Sequence, residues 1–114
     1  MRTTAVKLGR EVEFDEVSLD QAEDLRAEGA VIVDVRRADE RAIKHIPGSI
    51  HLPLDELPGR LQEVPEGRLL IVCATGVRSA VAAALFEQSG RSEVSSIAGG
   101  TDGWEAAGKP VNRG

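Results

Sequence analysis

The chain has 114 residues, of which 41% are hydrophobic and 29% charged, with a formal net charge of −5. This length builds one domain with a real core, and the acidic balance disfavours a general nucleic-acid or anionic-membrane surface. A single cysteine excludes an internal disulfide and a cysteine-based zinc site.

Residues 1–14 read as an N-terminal arm. Ala5–Leu8 and Glu11–Phe14 flank Gly9-Arg10 and predict a short β-ribbon or a loose extension. The acids from Glu11 to Glu16 predict a solvated surface. No apolar signal core follows Met1, and no stretch is long enough to span a bilayer, so a reducing cytoplasm is the expected compartment.

The main domain is expected over residues 15–114. Ser18-Leu19-Asp20-Gln21 is a capping box, and Leu19, Ala22 and Leu25 continue it at helical spacing until Gly29. Ala30–Val35 is a β-branched apolar run and predicts a buried strand. Ala38–Lys44 predicts a short helix, stopped by His45-Ile46-Pro47-Gly48. Ser49–Leu52 predicts a third strand, with His51 at the sheet edge. Leu54–Leu61 predicts a weak helix, because Pro58 and Gly59 interrupt it. Arg68–Val72 and Val94–Ile97 predict two more strands. Between them lies a helix over Ser79–Gln88, whose alanines allow close packing on a sheet. A last short helix over Thr101–Ala107 carries Trp104.

Strands that alternate with helices and run apolar predict a parallel sheet covered on both faces. Ligands bind beyond the C-terminal strand ends of such sheets. Two segments reach that edge: Asp34-Val35-Arg36 and Cys73-Ala74-Thr75-Gly76-Val77-Arg78-Ser79.

The second segment carries the chemistry. Cys73 ends the run Leu69-Leu70-Ile71-Val72, Gly76 permits a turn with positive φ, and a helix begins at once. Backbone N–H groups from Ala74 to Ser79 are placed to form an anion nest, reinforced by the helix dipole. A cysteine so placed has its pKa drawn from about 8.5 to roughly 3.5–7.5, which makes it a nucleophilic thiolate without a general base. A small buried hydrophobe is the alternative for an isolated cysteine. Arg78 either adds charge at the loop or pairs with Asp34 and braces it. Asp34 and Arg36 read as scaffold, with Arg36 pairing Glu40 four residues on. His45 reads as a shaper of the turn before Pro47 rather than as a base. Trp104 reads as a helix anchor rather than a pocket wall. Gly99-Gly100 would let the last loop approach the Cys73 loop closely. The chain shows no cluster of metal ligands, and no cofactor is expected.

Four motifs together resemble the single-domain rhodanese family of sulfurtransferases. These are Asp34-Val35-Arg36, His45-Ile46-Pro47-Gly48-Ser49-Ile50, Cys73-x-x-Gly76-x-Arg78-Ser79 and Gly99-Gly100-x-x-x-Trp104. The match runs from about Val17 to Val111. The resemblance implies a three-layer α/β/α fold with a central, mainly parallel five-stranded sheet. It implies that Cys73 takes the outer sulfur of thiosulfate or another persulfide donor and passes it, as a persulfide, to cyanide, a thiol or a protein acceptor. It also implies that Ala74 to Ser79 bind the transferred sulfur, with Asp34, Arg36 and His45 in support. A sulfur-relay or interaction module with little small-molecule turnover is the second expectation. Related phosphatases and arsenate reductases use a loop one residue longer, with five residues between Cys and Arg. Here four residues separate Cys73 from Arg78, a ring suited to one sulfur atom.

Overall fold

A computed structural model describes residues 1–114. The chain opens with a hairpin, β1 (Arg2–Lys7) and β2 (Arg10–Val17). Its turn is Leu8-Gly9 rather than Gly9-Arg10. Both turn residues have positive φ, 52° and 75°, as a tight two-residue hairpin requires. Next come α1 (Leu19–Ala27), β3 (Val31–Asp34), α2 (Ala38–Ile43), the two-residue strand β4 (Lys44–His45) and β5 (Ile50–His51). The segment with Pro58 and Gly59 forms 3₁₀ turns over Leu54–Gly59 and Leu61–Glu63 instead of an α-helix. The chain closes with β6 (Leu69–Val72), α3 (Val77–Gln88), β7 (Val94–Ile97), α4 (Gly100–Ala106) and β8 (Asn112–Arg113).

Six strands form the main sheet in the order β1-β2-β7-β6-β3-β5. Five of them are parallel to one another, and only β1 runs antiparallel, along β2. The expected mainly parallel sheet is thus present, with six strands rather than five, because the N-terminal hairpin contributes both β1 and β2 to it. β2 joins the parallel set because Asp15, Glu16 and Val17 pair with Ser95, Ser96 and Ile97. The hairpin is also tied down by Arg2, which donates to Glu13 at 3.0 Å and to Glu87 of α3 at 2.6 Å.

Side chains of β6 alternate between two cores. Leu69, Ile71 and Cys73 face the larger one, where the alanines and Phe86 of α3 pack. Leu70 and Val72 face the smaller one, with Ala22 of α1 and Trp104 of α4. This gives three layers, with β6 covered on both faces, which is why the run has no polar residue. The capping box of α1 forms as expected, with Gln21 N–H donating to Ser18 Oγ at 3.1 Å and Ser18 N–H to Gln21 Oε1 at 2.9 Å. No helix is long and apolar enough to cross a membrane.

Candidate active site

Cys73 follows the last residue of β6, the strand flanked by β3 and β7 in the sheet. Gly76 is the N-cap of α3 with φ of 107°, a conformation that strains any L side chain. A β-carbon there would meet only ordinary contacts at 3.8 Å and beyond, so conformation rather than space requires the glycine. The turn brings Gly76 N–H to 3.1 Å from Cys73 Sγ.

The first N–H groups of a helix have no partner inside it. Here Gly76 N–H, at the N-cap, reaches the sulfur, and the N–H groups of Thr75 just before it and of Ser79 in the first turn add to the pull toward negative charge on it. The thiol lies 3.5 Å from Ser79 Oγ, and Ser79 Oγ lies 2.7 Å from Ser96 Oγ on β7. The neutral thiol donates to Ser79, whereas the thiolate receives the Ser79 hydroxyl proton. Burial pushes the Cys73 thiol up, but the Ser79 hydroxyl and the three backbone N–H groups outweigh it. The net result lies below the ordinary thiol value. Cys73 is 1% exposed, while Thr75 at the loop tip is open to solvent.

The loop is held from behind by α4. Thr101 N–H donates to the Cys73 carbonyl at 2.8 Å, and Asp102 N–H to that of Ala74 at 3.1 Å. In a trans peptide the N–H points opposite to its carbonyl. Pulling these two carbonyls toward α4 therefore turns the N–H groups of Ala74 and Thr75 to the other side. Gly100 makes the approach possible, as the Gly99-Gly100 motif led us to expect.

Two expected ion pairs are exchanged. Arg78 does not meet Asp34. It grips Glu40 of α2 with both guanidinium nitrogens, at 2.6 and 2.9 Å. Arg36 does not meet Glu40. It folds back on Asp34 at 3.0 and 2.9 Å and donates to the Lys44 carbonyl at 2.7 Å. The reason is burial. Arg36 is only 2% exposed and needs an equally buried acceptor, which Asp34 supplies. Arg41 adds a further bond to Asp34 at 3.2 Å. With Asp34 fully engaged, Glu40 is free to cross to Arg78. The Arg78 hydrogen bonds draw the Glu40 carboxyl down from 4.5 to about 2.

His45 lies in β4, with Nδ1 3.3 Å from the Arg41 carbonyl oxygen. His51 sits on the edge strand β5, with Nε2 2.8 Å from the Arg36 carbonyl oxygen. Trp104 is buried in the smaller core, and its indole N–H donates to the Pro110 carbonyl at 2.8 Å. A cleft of about 360 Å³ opens beside the loop, lined by Val35, Arg37, Pro53, Leu54, Asp55 and Arg78. Glu40 and Ser96 are the site residues that the motifs missed. The signal for Ser96 was a hydroxyl pair, Ser95-Ser96, inside a strand that is otherwise apolar.

The rhodanese-like domain model matches residues 18–107. The chain belongs to this family and is a rhodanese-type sulfurtransferase. It is 39% identical over 95 residues to a protein of Ectopseudomonas mendocina named thiosulfate sulfurtransferase GlpE, covering 82% of this chain and 87% of that one. It is 35% identical over 85 residues to a protein of Allochromatium vinosum named sulfurtransferase, covering 74% and 79%. Among solved structures, a rhodanese-related protein from Thermoplasma volcanium superposes with a TM-score of 0.80 at 25% identity, covering 87% of this chain and 98% of that one.

Proposed function

We propose that this enzyme moves a sulfane sulfur through a persulfide on Cys73. One observation carries the reading: the Cys73 sulfur faces Gly76 N–H at 3.1 Å and the Ser79 hydroxyl at 3.5 Å, at a helix N-terminus. These donors favour an anionic sulfur before the reaction and after it.

In the first half-reaction the Cys73 thiolate attacks the outer sulfur of the donor. A new S–S bond forms and the donor's own S–S bond breaks. With thiosulfate, sulfite leaves with the electron pair, and Cys73 carries a persulfide anion. In the second, an acceptor such as cyanide or a thiol attacks the outer sulfur, and the Cys73 thiolate departs as leaving group. The names of the relatives support thiosulfate as a donor, and another persulfide fits the same chemistry. Ala74 to Val77 cradle the outer sulfur through their backbone, and Ser79 stabilises the inner one. Arg78 faces the donor from the cleft. Asp34 and Arg36 hold the end of β3 in place, and His45 shapes the segment that leads to β5. An external molecule, either a small thiol or a protein, must discharge the persulfide, because the chain has no second cysteine. A reducing compartment suits a reaction that depends on a free thiol, so we place it in the cytoplasm.

Incubation with thiosulfate followed by intact mass measurement tests the reading. One added sulfur atom, removed by cyanide with formation of thiocyanate, is expected. Cys73→Ser should lose both, and retained turnover in that variant would remove Cys73 as the nucleophile.

A further inference from the structure

We propose that Glu40 sets the charge preference of the site, by holding Arg78 so that the cleft favours a singly charged or neutral sulfur donor over the thiosulfate dianion. The proposal rests on the sulfurtransferase reading above and names the class of donor that the same site prefers.

Arg78 is the only cation of the Cys73–Ser79 loop. Both of its terminal nitrogens are committed to Glu40, at 2.6 and 2.9 Å. The two side chains are 24% and 20% exposed, so solvent screens this pair less than a surface pair. The other cation of the cleft is Arg37, which donates to Asp39 at 3.0 Å and lies 3.7 Å from Glu40. Asp55 completes the lining. The cleft is thus lined by two cations and one carboxylate, and both cations are already paired, Arg78 with Glu40 and Arg37 with Asp39 and Glu40, beside a sulfur that is itself anionic when reactive. A dianion must either part Arg78 from Glu40 or settle against carboxylates.

The methanethiosulfonate anion isolates charge from shape. It carries the same outer sulfur as thiosulfate, with a methyl group in place of one oxygen and one negative charge fewer. The transfer step is balanced in the same way. The Cys73 thiolate bonds the outer sulfur, the donor S–S bond breaks, and methanesulfinate leaves with the electron pair.

The experiment measures kcat/KM for Cys73 persulfide formation with each donor, in the wild-type chain, in Glu40→Gln and in Glu40→Asp. Glu40→Gln should shift the ratio toward thiosulfate by about tenfold, the scale of one charge acting at close range. Glu40→Asp keeps the charge and should keep the wild-type ratio. An equal change for both donors in Glu40→Gln would reduce Glu40 to a positioning residue for Arg78 and overturn the proposal. The wild-type chain supplies a second measurement that needs no variant. Added salt should speed loading from thiosulfate relative to methanethiosulfonate, and the opposite response overturns the proposal. A wild-type chain that gains sulfur from neither donor, nor from an alkyl hydropersulfide, would refute the underlying reading of Cys73 as a sulfur carrier, and the charge preference with it.

Discussion

Gly100 and Cys73 touch through their backbones. A β-carbon at position 100 would stand 2.4 Å from the Cys73 carbonyl oxygen and 2.5 Å from that of Ala74. Gly100 also has φ of 60°. The neighbouring N–H groups of α4 reach the same two carbonyls, so the helix and the loop meet where only hydrogen fits. Gly100→Ala must therefore displace backbone. It should lower stability by about 3 kcal/mol, combining overpacking and left-handed strain. It should also slow sulfur loading, because the loop N–H groups lose their aim. Urea unfolding read beside the loading rate checks this, and an unchanged midpoint with full activity would refute it.

The Cys73 thiol lies below its ordinary range because hydrogen bonds outweigh burial. The thiolate is the reactive form, so loading should rise with pH and level off at an inflection below the usual thiol value. Ser79→Ala removes the hydroxyl donor and should move the inflection up by about one pH unit. Reactivity at about pH 6 then falls, while that at about pH 10 stays nearly the same. Alkylation rate against pH measures the shift directly.

Ser96 acts through Ser79 rather than on the sulfur. The 2.7 Å contact lets Ser96 supply a proton to Ser79 when Ser79 turns its own toward the thiolate. Ser96→Ala should move the same inflection upward by less than Ser79→Ala does. The double variant should add little to Ser79→Ala alone, since the second hydroxyl has then lost its relay. A Ser96→Ala profile identical to wild type would remove the relay.

Arg78 hydrogen bonds hold the Glu40 carboxyl at about 2 against an ordinary 4.5. The folded value is depressed, so the stability from this pair is fully present above about 4.5 and lost as pH falls through about 2. Carboxyl carbon-13 shifts followed through acid should show Glu40 titrating last among the glutamates. Arg78→Leu should return it to the ordinary range.

Asp34 accepts from the Arg36 backbone and side chain and from Arg41, all beneath the end of β3. Asp34→Ala leaves the buried Arg36 guanidinium without its carboxylate and should cost about 3–5 kcal/mol. Thermal unfolding measures the loss.

The architecture was legible because the local signals agreed. The β6 run, the Ser18 capping box and the break at Pro58-Gly59 each fixed an element or its end. The Cys73 loop was equally plain, since a glycine between a buried strand and an alanine-rich helix leaves few other geometries. Partner choice among charges was not legible. Arg36 and Glu40 stand four apart, a spacing that pairs side chains on a helix, but Arg36 precedes α2 and turns inward. Burial decided between Asp34 and Glu40, and burial follows from the packed fold. Ser96 escaped notice because a serine in an apolar strand reads as a weak strand former until the helix that covers it is known.

The hold of α4 on the loop also bears on the order in which the protein is made. Cys73 emerges from synthesis well before Thr101 and Asp102, whose N–H groups fix its carbonyl and that of Ala74. Until those residues arrive, the loop lacks the bonds that aim its N–H groups at the sulfur. The growing chain therefore carries a thiol still without its full set of activating contacts, and the site is completed as α4 closes beneath it.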